Sequence, residues 1–168
     1  KQNQTAEIAR RVSLGWAAFG KLRYIIKDPK IPINLKRKVY RSCILPVTTY
    51  GLETMTLTQR SANSLRVCQR AMERSMLGIS LRDRVRNDII RSKTGVPDIV
   101  GQIAALKWRW AGHVARCKDE RWNKRLVCWT PRASTRSVGR PQSRWHDDIR
   151  RHAGSNWLRV AQERETWK

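Results

Sequence analysis

Acidic residues are scarce in this sequence. Aspartate and glutamate number 13 in 168 residues, against 36 lysines and arginines, for a formal net charge of +23. A small domain needs a net charge of only about 2–8 for solubility, so this imbalance points to a polyanionic partner, nucleic acid or an anionic membrane surface. Long apolar runs are missing too: nowhere do about 18 apolar residues follow one another, which excludes a membrane-spanning helix. The four cysteines, Cys43, Cys68, Cys117 and Cys128, form no C-x-x-C pair, and three fall on apolar helical stripes. That is the usage of a reduced, intracellular protein whose thiols are small core residues. Alternating strand patterns, internal repeats, a phosphate-cradling glycine loop and a Ser/His/Asp order are all lacking. Lys1 opens no signal-peptide pattern, and with neither end resembling a natural terminus the chain reads as part of something longer.

What is present is helical periodicity and arginine. Arginine outnumbers lysine 25 to 11, and it is the residue that binds phosphate bidentately and stacks on bases. The basic residues lie on many elements rather than on one amphipathic anchor, which favours nucleic acid over a membrane surface. The length suits one domain or two small ones, burying roughly 70% of the unfolded surface.

A first helix is expected over Thr5–Ile26, with Ile8, Val12, Phe19, Leu22 and Ile26 inward, ended by Asp28-Pro29 and Ile31-Pro32. A second runs from about Asn34 to Thr54 with Leu35, Val39, Cys43, Val47 and Tyr50 on its apolar side. Lys36, Arg37, Lys38 and Arg41 make its first half basic, and Pro46 should kink it by removing a bond to Ser42. The third begins near Thr58 with Leu65, Cys68, Met72 and Met76 inward. Arg66, Arg70 and Arg74 stack on one of its faces about 5.4 Å apart. Such repulsion has little local relief beyond Glu73, and the stripe reads as a phosphate-tracking face rather than a solvated one. Ser80-x-x-Asp83 resembles a capping box for a short helix with Leu81, Val85 and Ile89 inside, Gly95 after it, and Arg82, Arg84, Arg86 and Arg91 around it.

The stretch Pro97–Cys117 predicts a central amphipathic helix, its stripe formed by Ile99, Ile103, Leu106, Trp110, His113, Val114 and Cys117. Pro97 and Asp98 suit a helix start. Arg109 and Arg116 flank Gly112, a cationic side open to close approach by another backbone. Trp108 points away from the stripe and needs a second contacting layer. Beyond Cys117, a short helix through Trp122, Leu126 and Val127 is expected, then a loop over Thr130–Gly139. A helix opened by Pro141 follows with Trp145 and Ile149 inward, and a last one is capped by Ser155 and carries Trp157, Val160 and Trp167. Seven of the eight tryptophans lie at or after Trp108, so this part should pack around indoles.

The blocks Leu45-Pro46-Val47-Thr48-Thr49-Tyr50-Gly51-Leu52-Glu53-Thr54, Gln69-Arg70-Ala71-Met72-Glu73-Arg74, Trp110-Ala111-Gly112-His113-Val114-Ala115-Arg116 and Gly139-Arg140-Pro141-x-x-Arg144-Trp145-x-Asp147-Asp148 occur in that order. Together they resemble the region downstream of the palm in non-LTR (LINE-type) retrotransposon reverse transcriptases, with the nearest likeness to RTE-like endonuclease–reverse transcriptases of insects. The resemblance covers nearly the whole chain. It implies a polymerase-thumb-like helical bundle over residues 1–95 and a smaller, Trp-rich helical segment over 96–168, all-α throughout. It also implies that endonuclease, fingers and palm lie before Lys1, so that magnesium serves only the palm and no cofactor is expected here. RNA and DNA, as a template–primer duplex held with low sequence specificity, are the expected partners, beside the fingers and palm; no membrane is. The expected location is nuclear, or a cytoplasmic ribonucleoprotein. The alternative is a free-standing DNA- or RNA-binding domain derived from such an element.

Candidate contacts to nucleic acid are Lys36, Arg37, Arg41, Arg66, Arg70, Arg74, Arg82, Arg86, Arg109, Arg116, Arg140 and Arg144. Trp145-His146-Asp147-Asp148 imitates the aromatic-x-Asp-Asp string of such polymerases but stands at a helix start without a third carboxylate. It reads as acids favoured by the helix dipole and paired with Arg144 or Arg151, not as a metal-holding pair. No catalytic residue is therefore expected in this chain. Gly139-Arg140-Pro141 lacks the second arginine of an AT-hook, Val138 standing in its place, and reads as a turn orienting the next helix. His113 and Cys117, with Cys128 and His146, could ligate zinc by spacing. Their place on a core stripe and gaps matching no compact zinc motif favour a core histidine and no metal.

Overall fold

The computed structural model describes residues 2–117, 122–129 and 143–167, with the side chains of Gln2, Asn3 and Cys128 left aside. Arg140, the Gly139-Arg140-Pro141 turn and the Thr130–Gly139 loop lie outside the described residues. Every regular element is helical, and no strand occurs among the described residues, so the chain is all-α. It falls into two compact units, residues 1–52 with 57–104, and residues 53–56 with 105–168. The division comes inside a helix, at Ala104–Ala105, where sequence analysis places a boundary near Gly95.

In the first unit, α1 (Gln2–Lys21) and α2 (Arg23–Ile26) are followed by α3 (Ile33–Val39), a π-helical turn (Tyr40–Ile44) and α4 (Leu45–Thr49). Ile8, Phe19 and Ile26 are buried as their periodicity requires. The α3–α4 stretch corrects the expected face. Leu35, Cys43, Val47 and Tyr50 are exposed, while Tyr40, Ile44, Leu45, Thr48 and Thr49 are buried. A π turn advances the chain by a wider step than an α turn and so shifts the phase of everything after it. It sits immediately before Pro46, where the missing N–H leaves the α ladder without a donor. Burial of two threonines is possible because each hydroxyl donates to the carbonyl four residues back, Thr48 to Ile44 and Thr49 to Leu45, both at 2.9 Å. Thr48 also fits against α1 only because Gly15 has no side chain: a Cβ there would lie 2.5 Å from Thr48 Oγ1. The element ends earlier than expected, at Thr49, where Tyr50 turns extended and Gly51 takes φ +74°.

Helix α5 (Gln59–Leu77) starts where the sequence predicts: Thr58 Oγ1 accepts from Ser61 N at 3.2 Å. Leu65, Cys68, Met72 and Met76 are all buried. Gly78, at φ +68°, closes it, and Ile79 N donates back to Arg74 O at 3.0 Å. The Ser80–Asp83 pair forms, with Ser80 N donating to Asp83 Oδ2 at 2.7 Å, but it caps a turn rather than a helix. Helix α6 begins only at Asn87 and runs to Thr94, so Leu81 and Ile89 are exposed while Ile90 and Thr94 are buried.

Helix α7 (Ile99–Arg116) is capped by Asp98, whose Oδ2 accepts from Gly101 N at 3.2 Å. Its stripe buries Ile99, Ile103 and Val114, but His113 is exposed and is not a core histidine. The second unit adds α8 (Trp122–Cys128), α9 (Asp147–Ala153) and α10 (Trp157–Val160). Its core joins Ala111, Ala115, Ile149, Trp157, Ala161 and Trp167, with Trp108, Val127 and Trp145 packed on them. Trp108 has its second layer: its ring stacks on Trp167 with centroids 4.0 Å apart and planes 5° from parallel. Each indole N–H donates to the other residue's backbone carbonyl at 2.9 Å. The expected Ser155 cap does not form; Asn156 occupies that position without a side-chain bond.

Candidate nucleic-acid interface

Cations of the first unit separate into those spent inside the fold and those left at its surface. Lys36 is only 5% exposed, and its Nζ donates to Met76 O at 3.1 Å, in the last turn of α5. A cation there satisfies a carbonyl the helix cannot use and complements the negative end of the dipole. Arg70 is 8% exposed and bonds Glu73, itself fully buried, and more distantly Asp98 at 3.4 Å. Thr94 Oγ1 donates to the other Glu73 oxygen at 2.9 Å. Burial raises the Glu73 pKa, outweighing the pull of Arg70 and Thr94, and burial likewise lowers that of Arg70. Lys36 and Arg70 are therefore removed from the phosphate-facing set, and the Arg66, Arg70, Arg74 stripe is broken at its centre.

Its ends stay near solvent. Arg66 approaches Asp98 at 3.6 Å and Arg91, from α6, approaches the same oxygen at 3.8 Å, both side chains half exposed. Three guanidiniums thus share one carboxylate, which leaves an excess of positive charge at the surface there. Arg74 donates to Asn87 Oδ1 at 2.6 Å, a neutral partner that leaves its charge uncompensated. Arg82 and Arg86 lie exposed on the turn before α6, Arg86 paired with Asp88 at 2.7 Å.

A cleft of about 430 Å³ opens along α3 and the π turn, lined by Asn34, Arg37, Lys38, Arg41 and Ser42. Three cations and two neutral hydrogen-bonding side chains, with no carboxylate, suit a phosphate oxygen. Arg37 is half-buried and held in place by donating from Nε to Thr94 O. Sequence analysis found Arg37 and Arg41 but not Asn34, Lys38 or Ser42 as a site. The signal was available in the polar rather than the apolar periodicity, since these five recur at i, i+3, i+4, i+7 and i+8.

In the second unit Arg109 and Arg144 are exposed, whereas Arg116 is half-buried and donates to Ala161 O at 2.8 Å. The flank at Gly112 is not open to a partner: a Cβ there would lie 2.5 Å from Trp167 Cδ1, so the close approach it permits is by the chain's own C-terminal turn. Asp147 and Asp148 are both engaged. Asp147 Oδ2 accepts from the backbone Arg144 N at 2.6 Å, and Asp148 pairs at 2.7 Å with buried Lys107 rather than with Arg144 or Arg151 as expected. Lys107 Nζ also lies 5.1 Å from the centre of the Trp145 ring. His146 Nδ1 meets Val127 O at 3.0 Å. Among the described residues no three of His, Cys, Asp or Glu come together as a metal site, and Cys128 lies outside those considered.

The architecture and this surface define a strongly basic all-helical protein. It is similar to a Caenorhabditis elegans protein named "Putative uncharacterized transposon-derived protein F52C9.6", with 33% identity over 181 residues, 98% of this chain and 63% of that protein. The chain thus spans less than two thirds of that relative's length. No family model and no solved structure matches the chain.

Proposed function

We propose that this chain is a nucleic-acid-binding, non-catalytic portion of a retrotransposon RNA-directed DNA polymerase. It holds a template–primer duplex or element RNA by its phosphates while chemistry proceeds on a separate palm with magnesium, in the nucleus or in a cytoplasmic ribonucleoprotein. The observation that carries this is the carboxylate-free cleft of Arg37, Lys38 and Arg41 in a chain of net charge +23. The four ordered blocks and the similarity to a transposon-derived protein support the retroelement origin. That relative's name equally fits the alternative, a free-standing binding domain derived from such an element.

Duplex affinity measured against salt tests the reading. Lys38→Gln and Arg41→Gln should each weaken binding and flatten the log–log slope by about 0.9. The loss should be equal for unrelated sequences, because phosphate contacts read no bases. An unchanged slope in the double variant, with its thermal melt intact, would remove the cleft from the interface. Whether a palm-bearing segment is encoded ahead of Lys1, read from the transcript, distinguishes a polymerase portion from a free-standing domain.

A further inference from the structure

Helix α8 and the residue after it bear an aromatic face that stays exposed among the described residues. Trp122 is 71%, Leu126 64% and Trp129 65% exposed, and they follow one another at i, i+4 and i+7, on one side of the helix. Opposite them Val127 packs on the indole core, and His146 holds its carbonyl at 3.0 Å. The buried side of α8 is therefore settled, and the tryptophans stand on the other. Leaving two indoles in water forfeits the burial that the other tryptophans of this unit obtain.

The charge around this face selects its occupant. Lys124 is exposed on α8, and the Arg125 guanidinium lies 5.8 Å from the centre of the Trp122 ring. Aromatic rings beside cations are what single-stranded nucleic acid requires: each unpaired base offers a π face to an indole while its phosphate meets a cation. A duplex cannot use such a platform, because its bases are already stacked. A seven-residue helix with one indole on it and one just beyond it is also a small footing for a membrane, where anchors carry a long apolar face.

We propose that Trp122 and Trp129 form a stacking platform for unpaired bases of RNA or DNA, with Lys124 beside them to receive an adjoining phosphate. This takes from the preceding reading only that the ligand is a nucleic acid; its residues are different from those of the duplex cleft.

The test uses the full chain with an oligothymidylate and an oligouridylate beside a blunt duplex. Two double variants separate stacking from mere apolar contact: W122F/W129F keeps a π face, and W122L/W129L keeps apolar area without one. The Leu pair should weaken single-strand binding about tenfold or more per ring lost, and the Phe pair should retain most of it. Duplex affinity should be unchanged in both, and the single-strand salt slope should hold, since the lost contacts are not ionic. Both residues are exposed, so thermal melts should be unmoved. Equal loss on duplex and single strand, or no loss at all, overturns the platform. So does full retention in the Leu pair, or a variant-sensitive association with anionic vesicles or with a second copy seen by sedimentation. If the wild-type chain binds the single strands but not the duplex, the cleft reading fails and the platform stands; binding of neither overturns both.

Discussion

The two units are stabilised by different chemistry. The first packs aliphatic and thioether side chains, Leu65, Met72, Met76, Ile90 and Ile99 among them, around one buried charged cluster. The second relies on indoles, with Trp108 on Trp167, Trp110 edge-on to Trp145 at 5.1 Å, and Trp157 6.2 Å from Trp167. Aliphatic packing is non-directional and follows area. Indole packing adds geometry and a donor that must find a partner, and here the donors reach backbone carbonyls far along the chain. Trp145 Nε1 bonds Glu53 O at 2.7 Å across 92 residues. The second unit should accordingly be more sensitive to single substitutions of a ring than the first is to single aliphatic truncations.

The sharpest way to break this contrast is Trp167→Ala. The change removes a buried ring from the stack and leaves Trp108 O without its indole donor, while Trp108 Nε1–H keeps the main-chain carbonyl of residue 167 as its acceptor. We expect about 3–5 kcal/mol of destabilisation. Hydrogen exchange should show protection lost over α9 and α10 and kept in α5. Uniform loss across both units would show that the indole core is not a separate stabilising element.

A comparable effect should follow in the first unit from Glu73→Ala, but for an electrostatic reason. Removing Glu73 leaves Arg70 with only the more distant Asp98, at up to about 3–5 kcal/mol. Replacing both, as Arg70→Met with Glu73→Leu, should be close to neutral or stabilising, because neither charge then has to be desolvated. The pH profile gives an independent check. Burial holds the Glu73 pKa above its ordinary 4.5, so the folded state binds the proton more tightly than the unfolded chain. Stability contributed by that proton is fully present below the ordinary value and declines as pH rises through the raised one. The double variant should lack this decline.

How far these features could be read in advance depends on how local they are. The start of α5 and its inward residues were legible because a helix start and a 3.6-residue period are written within one helix. The buried face of α3–α4 was not, since its phase turns on a π turn next to Pro46 and on threonines whose hydroxyls are satisfied four residues back. Lys36 and Arg70 were read as surface cations because nothing near them in sequence announces Met76 O or Asp98 as partners. That the second part would be built on tryptophan was evident from composition. Which tryptophans would be buried was not, for it rests on contacts across tens of residues. The cleft along α3 is written in the polar rather than the apolar periodicity of its residues.

Gly112 offers a smaller but more discriminating measurement. Alanine is the better helix former by about 1 kcal/mol. Its Cβ, however, would lie 2.5 Å from Trp167 Cδ1 and 2.6 Å from Nε1, on a ring held by the Trp108 stack and by its own hydrogen bond to Trp108 O. Overpacking of this kind costs about 1–3 kcal/mol, so Gly112→Ala should be net destabilising in the native protein. With Trp167→Ala in place the obstruction is gone and the same change should stabilise. A double-mutant cycle reads this reversal of sign directly. Additive effects would mean that the ring yields at little cost and that its position is not fixed by the stack.

The smallest effect belongs to the most local feature, the Thr58 cap, and it serves as the control for the others. Thr58 Oγ1 accepts from Ser61 N at 3.2 Å and donates to Ser61 Oγ at 3.0 Å, both within one turn of α5. Thr58→Ala leaves one backbone donor to water and should cost about 1 kcal/mol, while Ser should retain nearly all of the stability and Gly should lose only a few tenths. Since the site is exposed and touches no buried ring or charge, its effect should add to that of Trp167→Ala within about 0.5 kcal/mol. Marked non-additivity would show that the two units unfold as one cooperative body, and the contrast between aliphatic and indole cores would then describe packing style rather than separable stability.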